Sequence, residues 1–291
     1  MRIRATVAAV SGALALSALV VPAAHADDTV DLPNIPTSAA EIFGIAPQDA
    51  KAARAAAATS DPVISKVVVN GGKDIVLGTT ASKTVSVSLT ASHASGISDA
   101  FVGLWHGQDL SSPDTVDGAV MPNEDVAKCT KVNATTSTCK LTFTIEPGWD
   151  LYKNSLAGTW KVAAAALSGD GISATDNQSY GKVRVQRASK LTVNASPEPV
   201  RKGKTITVTG KLSRANWETF KYQGYTGQPV KLQFRKKNSN TYTTIKTIKT
   251  NSTGNLKTTV KASVDGYWRY SFAGTSTTPA VTTAGDFVDV R

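Results

Sequence analysis

Acid–base or nucleophilic chemistry has few residues to draw on in this chain. There are three histidines, His25, His93 and His106, and two cysteines, Cys129 and Cys139. Nucleophilic catalysis needs a base held beside Ser or Cys. His93 sits in a Ser-His-Ala-Ser-Gly stretch beside an expected turn, His106 follows Trp105 at a strand end, and no Gly-x-Ser-x-Gly elbow occurs. Two scattered histidines cannot supply the clustered ligands of a zinc site. Glycine motifs that cradle phosphate are absent. The five glutamates, Glu41, Glu124, Glu146, Glu198 and Glu218, show no pairing across a sugar-binding cleft of the kind glycoside hydrolysis needs. The sequence therefore reads as a protein that is not an enzyme and requires no cofactor.

Two other constellations could bind. Asp109, Asp114 and Asp117 crowd one loop, with Glu124-Asp125 shortly after, and Asp170 and Asp176 flank a second turn. Calcium takes six to eight oxygen ligands, which converging loops at the end of a sandwich could provide. The EF-hand pattern is missing in both places, so a merely solvated acidic loop is the competing reading. Trp217, Phe220, Tyr222 and Tyr225 share the stretch Ala215 to Gly227. Such rings suit a sugar- or partner-binding platform, but they equally suit a lid folded back on the sandwich core, which is the preferred reading.

The elements that must position these residues are short. Arg2 and Arg4, the apolar run Ala5 to Val21 and the small residues of Ala24-His25-Ala26 compose a secretory signal over residues 1–26, cleaved after Ala26. Export places Cys129 and Cys139 in an oxidising compartment, where a structural disulfide would contribute about 2–3 kcal/mol. Residues 27–61, with Pro33, Pro36, Pro47 and the Ala-rich stretch Ala50 to Ala58, lack an apolar stripe and read as a flexible arm.

After Pro62 the texture changes to alternating Val- and Thr-rich runs broken by Gly, Asn and Asp. Strands are expected at Val63–Val69, Lys83–Thr90, Ala100–Trp105, Lys140–Ile145, Thr159–Ala166 and Lys182–Gln186. A second set falls at Lys190–Ala195, Thr205–Leu212, Pro229–Arg235, Thr243–Lys249, Asn255–Ala262, Tyr267–Ala273 and Asp286–Val290. Many short strands without a long helix predict two antiparallel β-sandwiches, 62–188 and 189–291, in an all-β chain. The halves echo each other in order: Lys83-Thr-Val-Ser-Val87 with Lys204-Thr-Ile-Thr-Val208, and Gly158-Thr-Trp-Lys161 with Gly266-Tyr-Trp-Arg269. A duplicated fold follows, with extra loop in the first copy between Gly107 and Val126.

Charge divides the halves. Residues 27–187 hold 13 Lys/Arg against 17 Asp/Glu, while residues 188–291 hold 17 against 5. Lys202, Lys204, Arg235, Lys236 and Lys237 fall at expected turns, and Lys257 and Lys261 on one face of a strand. Solubility and protection of sheet edges are the plain reading of these cations. The functional reading is a surface that attracts anionic cell-wall or matrix polymer. No motif for sequence-specific nucleic-acid recognition is present, nor any second apolar run that could span a membrane.

The Gly-x-Trp-Lys/Arg pattern ahead of a last Val-rich strand resembles bacterial immunoglobulin-like domains. Over about residues 62–291 the chain is similar to a family of small actinobacterial secreted proteins that end in such a domain. The stretches that carry this are Trp149 to Trp160, Leu191 to Ala215, Gln228 to Arg235 and Phe272 to Thr275. The resemblance implies two immunoglobulin-like sandwiches and, from a label on some members, calcium binding; it implies no activity. The immunoglobulin inter-sheet cysteine pair is missing. The expectation is a secreted interaction or structural protein of the cell surface or matrix, with the basic second domain on anionic polymer. The alternatives are a calcium-binding module using the acidic loops, a carbohydrate-binding module, or an inhibitor of a secreted hydrolase.

Overall fold

The computed structural model describes residues 32, 35–45 and 60–291. The expected secretory signal and the Ala-rich stretch lie outside the described residues. The first sandwich is built from β1 (Val63–Val69), β2 (Ile75–Leu77), β3 (Lys83–Ser92), β4 (Ile97–Gly107), β5 (Val116–Val120), β6 (Lys128–Lys131), β7 (Thr136–Ile145), β8 (Gly158–Ser168) and β9 (Ala174–Arg187). One sheet runs β1-β3-β7-β6 and the other β2-β9-β8-β4-β5. Period-2 alternation makes these strands: Val85, Val87, Leu89 and Ala91 of β3 and Cys139, Leu141, Phe143 and Ile145 of β7 point inward, while the threonines, serines and Lys140 between them face out. Across the core lie Val102 and Leu104 of β4 and Trp160 and Val162 of β8, with the Trp160 indole donating to Leu156 O at 2.7 Å.

The five-stranded sheet is buried on both faces. Phe101 and Trp105 of β4, Ala119 of β5 and Ala163 and Ala165 of β8 point away from the core into a second apolar cluster. Residues 35–45 cover it. Ile35 is buried there, and Ile42 and Phe43 of the one-turn helix α1 (Ala39–Phe43) pack alongside. Ser38 caps α1 by accepting from the Glu41 amide (3.2 Å), and Asp176 and Gln178 of β9 bind the Ala39 amide and Thr37 carbonyl. This corrects the expectation of a flexible arm over 27–61 for residues 35–45. The stripe that holds them is only Ile35, Ile42 and Phe43, and the run Val162 to Leu167 supplies the flat surface of small side chains that receives it. Ser38→Ala should weaken this docking by about 1 kcal/mol, read as faster amide exchange at Glu41 and Ile42.

The second sandwich comprises β10 (Ser189–Leu191), β11 (Asn194–Ser196), β12 (Thr205–Asn216), β13 (Lys221–Gly224), β14 (Pro229–Lys236), β15 (Thr243–Lys249), β16 (Asn255–Lys261), β17 (Gly266–Phe272), β18 (Val281–Thr282) and β19 (Asp286–Val288). β12 is paired by β10, β11, β13 and β16; in the facing sheet β14 lies between β15 and β17, and β17 also pairs β18 and β19. Ile206, Val208, Leu256, Val230, Leu232, Trp268, Tyr270 and Phe272 fill the core, and the Tyr270 hydroxyl crosses it to donate to Val208 O at 2.9 Å. Both domains are immunoglobulin-like sandwiches. The sequence echoes fall on equivalent strands: β3 and β12 are each central in the first sheet, and β8 and β17 each carry the Gly-x-Trp motif centrally in the second.

β2, β5, β6, β13 and β18 were not expected as strands. Each is five residues or fewer, too short to show a period, and exists because a longer neighbour offers it an edge.

Candidate functional site

The seven nominated cations separate onto opposite sheets. Lys202 and Lys204 occupy the turn into β12, and Lys261 of β16 pairs opposite Thr205 beside them. Lys257 lies opposite Thr209 on the same outer face, which also carries Lys211 opposite Asn255. Arg235, Lys236 and Lys237 end β14 in the other sheet. Lys237 approaches Asp265 at 3.5 Å. Strand alternation turns Arg235 and Lys236 to different faces although they are adjacent in sequence.

On the outer face around Arg235 the structure assembles residues that sequence reasoning missed. Arg235 stands opposite Tyr267 and Gln233 opposite Arg269 in the β14–β17 register, and Tyr267 stands opposite Phe287 of β19. The Arg235 guanidinium lies 3.8 Å from the Tyr267 ring centre, and that of Arg269 3.6 Å from the Tyr242 ring centre. Tyr267 and Phe287 pack with centres 5.1 Å apart. Arg235 Nη1 donates to Ser239 O at 2.8 Å, and Arg269 Nε to Gln233 Oε1 at 2.8 Å. Tyr242 is fixed from beneath by Gly285, where a Cβ would come within 2.2 Å of the phenol oxygen. The available signal was the alternation Lys231-x-Gln233-x-Arg235 and Tyr267-x-Arg269-x-Ser271 on strands whose pairing only the fold reveals.

The acidic loops are used locally. Asp109 accepts from the Ser111 amide (2.9 Å), Asp117 pairs with His106 Nδ1 (2.5 Å), and Asp176 holds the Ala39 amide (3.0 Å). Asp114 lies in a 3-10 turn over Pro113–Thr115. Asp170 accepts from Ser168 Oγ (2.5 Å) and the Ile172 amide (3.1 Å), and the Ser168 bond foremost holds its carboxyl below the usual carboxylate range. No three His, Cys, Asp or Glu side chains converge among the described residues. Because the folded-state pKa of Asp170 is lowered, its stabilisation is present above the unfolded pKa of about 3.9 and lost as pH falls through the folded value. Asp170→Asn should therefore lower stability at neutral pH, with the gap to the wild type closing below about pH 4 in denaturation curves.

The aromatic loop serves both cores: Tyr225 packs against its own sandwich, as a lid would, and Trp217 enters the other. Trp217 is fully buried in the first sandwich's core. Its indole donates to Gly78 O (2.9 Å) and its amide to Asn154 Oδ1 (3.0 Å), while Glu218 accepts from the Asn154 amide (2.8 Å). Tyr222 lies under Lys190 (3.8 Å), Tyr225 under Arg214 (3.9 Å) with its edge to Phe272, and Phe220 rests on Gly148. Trp217 closes the neighbouring core, a choice that loop composition does not encode. Close by, Arg187 is buried and donates to Ala215 O (2.6 Å); burial foremost, then the charge of Arg214, lowers its pKa to about 10.

Of the groups considered for catalysis, His93 is buried between Ser95 Oγ and Ser60 O. His106 pairs through Nδ1 with Asp117, and its ring lies 5.7 Å from that of Trp160. Cys129 and Cys139 form a disulfide, directly opposite one another on β6 and β7. An open groove of about 580 Å³ between β1 and β9 has Arg184 and Asp74 at its rim, committed to each other at 2.8 Å. No helix among the described residues is long and apolar enough to cross a membrane.

A family of unknown function (DUF5707) matches residues 77–166, within the first sandwich. No curated protein sequence matches the chain. Among solved structures it is similar to dimeric latent PorU from Porphyromonas gingivalis (12% identity, TM-score 0.26, 79% of this chain), of which it spans only 20%. It is also similar to the fibronectin(III)-like modules of Clostridium thermocellum CbhA (12% identity, TM-score 0.31, 77% of this chain and 93% of that one). A third is the D00-D0 domain of Intimin (16% identity, TM-score 0.25, 77% and 99%).

Proposed function

We propose that this is an exported, non-enzymatic interaction protein whose second sandwich holds anionic polymer of the cell surface or matrix, with the first sandwich as its rigid mount. The observation that carries this is uncompensated charge. Residues 188–291 hold 17 Lys/Arg against 5 Asp/Glu, and the ion pairs of that sandwich among the described residues are Lys237–Asp265 and Arg291–Asp289. A folded domain pays for such an imbalance in self-repulsion, and a polyanion relieves it. The signal-like start of the sequence and the disulfide support export. Retention of the full chain on immobilised polyanion should fall by roughly tenfold or more as salt rises from about 0.05 to 0.5 M. Salt-independent retention, or none at low salt, would overturn the reading.

A further inference from the structure

We infer that the outer face of the β15-β14-β17-β19 sheet is the polymer-contacting surface, and that its occupant is a carboxylate-bearing polysaccharide of the uronate type. This rests on the reading that the second sandwich holds anionic polymer, and it names the face and the chemistry.

Arg235 and Arg269 decide the face. Arginine carries large rotamer entropy, so a solvated surface leaves it free. Here each guanidinium is laid flat against a tyrosine, at 3.8 and 3.6 Å, and tied by a further hydrogen bond to Ser239 O or Gln233 Oε1. Neither has a carboxylate partner among the described residues. Two cations are thus ordered before any counter-charge arrives, which lowers the entropic cost of binding one. The opposite sheet shows nothing comparable around Lys257 and Lys261, both exposed.

The same geometry selects the ligand. Arg269 keeps both terminal nitrogens free of hydrogen bonds among the described residues, and a planar fork fits a carboxylate or a phosphate with two parallel bonds, so the apolar surface beside it decides between them. Arg235 and Arg269 are diagonal neighbours on adjacent strands, roughly 7–8 Å apart, and Lys231 continues the row beside them. Tyr267 gives a face to Arg235, and Phe287, packed against Tyr267, supplies an apolar surface beside the row, against which the C–H face of a sugar ring can lie. A polymer of phosphate alone uses the charge and leaves that surface wet.

The test compares binding of the full chain to polygalacturonate, polyphosphate, single-stranded DNA and neutral dextran at low salt. Polygalacturonate should bind best and dextran not at all. The double variant Arg235→Lys and Arg269→Lys keeps every charge but loses the planar fork; it should bind polygalacturonate about tenfold more weakly, and polyphosphate more weakly too, because the fork pairs with phosphate as well. Lys257→Gln with Lys261→Gln, remote from the two arginines, should weaken polygalacturonate binding by less than the lysine variant does. Unchanged melting temperatures establish that all variants fold. If the lysine variant binds polygalacturonate as wild type does, or the β16 variant is the one that loses binding, or polyphosphate or DNA binds as well as polygalacturonate, this inference fails while the polyanion reading stands. If no polyanion binds, both fail.

Discussion

Trp217→Ala is expected to destabilise the first sandwich by about 3–5 kcal/mol although the residue belongs to the second. The side chain is fully buried among the first core's residues, and its loss empties that space and leaves the Gly78 carbonyl without its donor. The consequence for cooperativity is more telling than the magnitude. Two separate cores would give two thermal transitions, as composition and strand count alone suggest. With Trp217 in place, unfolding of the second sandwich withdraws a wall of the first, and the Asn154 contacts to Asn216, Trp217 and Glu218 break with it. Calorimetry should therefore show one transition for the wild type and two for Trp217→Ala, the lower one from the first sandwich. Trp217→Phe retains most of the volume and loses the indole donor, so it should fall between. Two transitions in the wild type, each unmoved by the alanine variant, would show that the cores are independent.

Most of the sheet was legible because buried strands must alternate. Val85, Val87, Leu89 and Ala91 can face one core only as a strand, and the Gly-x-Trp repeats mark the same strand in both domains. What escaped the sequence depended on which surfaces meet. The two-sided burial of Val162 to Leu167 called for a covering segment, but Ile35 and Phe43, across a proline-rich stretch, gave no period to follow. The nominated binding cations were grouped by adjacency, whereas adjacency in a strand sends side chains to opposite faces. Arg235 found its true neighbours in Tyr267 and Arg269 of another strand. The acidic loop shows the same difference: Asp109, Asp114 and Asp117 are close in sequence, yet Asp109 accepts from the Ser111 amide while Asp117 turns to His106.

Replacing both Cys129 and Cys139 with alanine should cost about 2–3 kcal/mol, and the structure indicates how. β6 is a four-residue edge strand paired to β7 alone, with Cys129 opposite Cys139 and the latter buried in the core. The connecting turn does not need the bond to hold its shape, because Asn133 Oδ1 accepts from the amides of Thr135 (3.0 Å) and Thr136 (2.8 Å). The loss therefore falls chiefly on the unfolded chain, which regains the freedom of a loop the bond had closed. Denaturant curves should show a lower midpoint with an increased slope, and amide exchange should quicken at Lys128–Lys131 more than in β3. An unchanged midpoint would mean that the hairpin already closes that loop in the unfolded state. The double alanine variant keeps Trp217 in its seat, so its single thermal transition should move down without dividing. Trp217→Ala divides the transition, and the two responses together separate stability lost within a core from coupling lost between them.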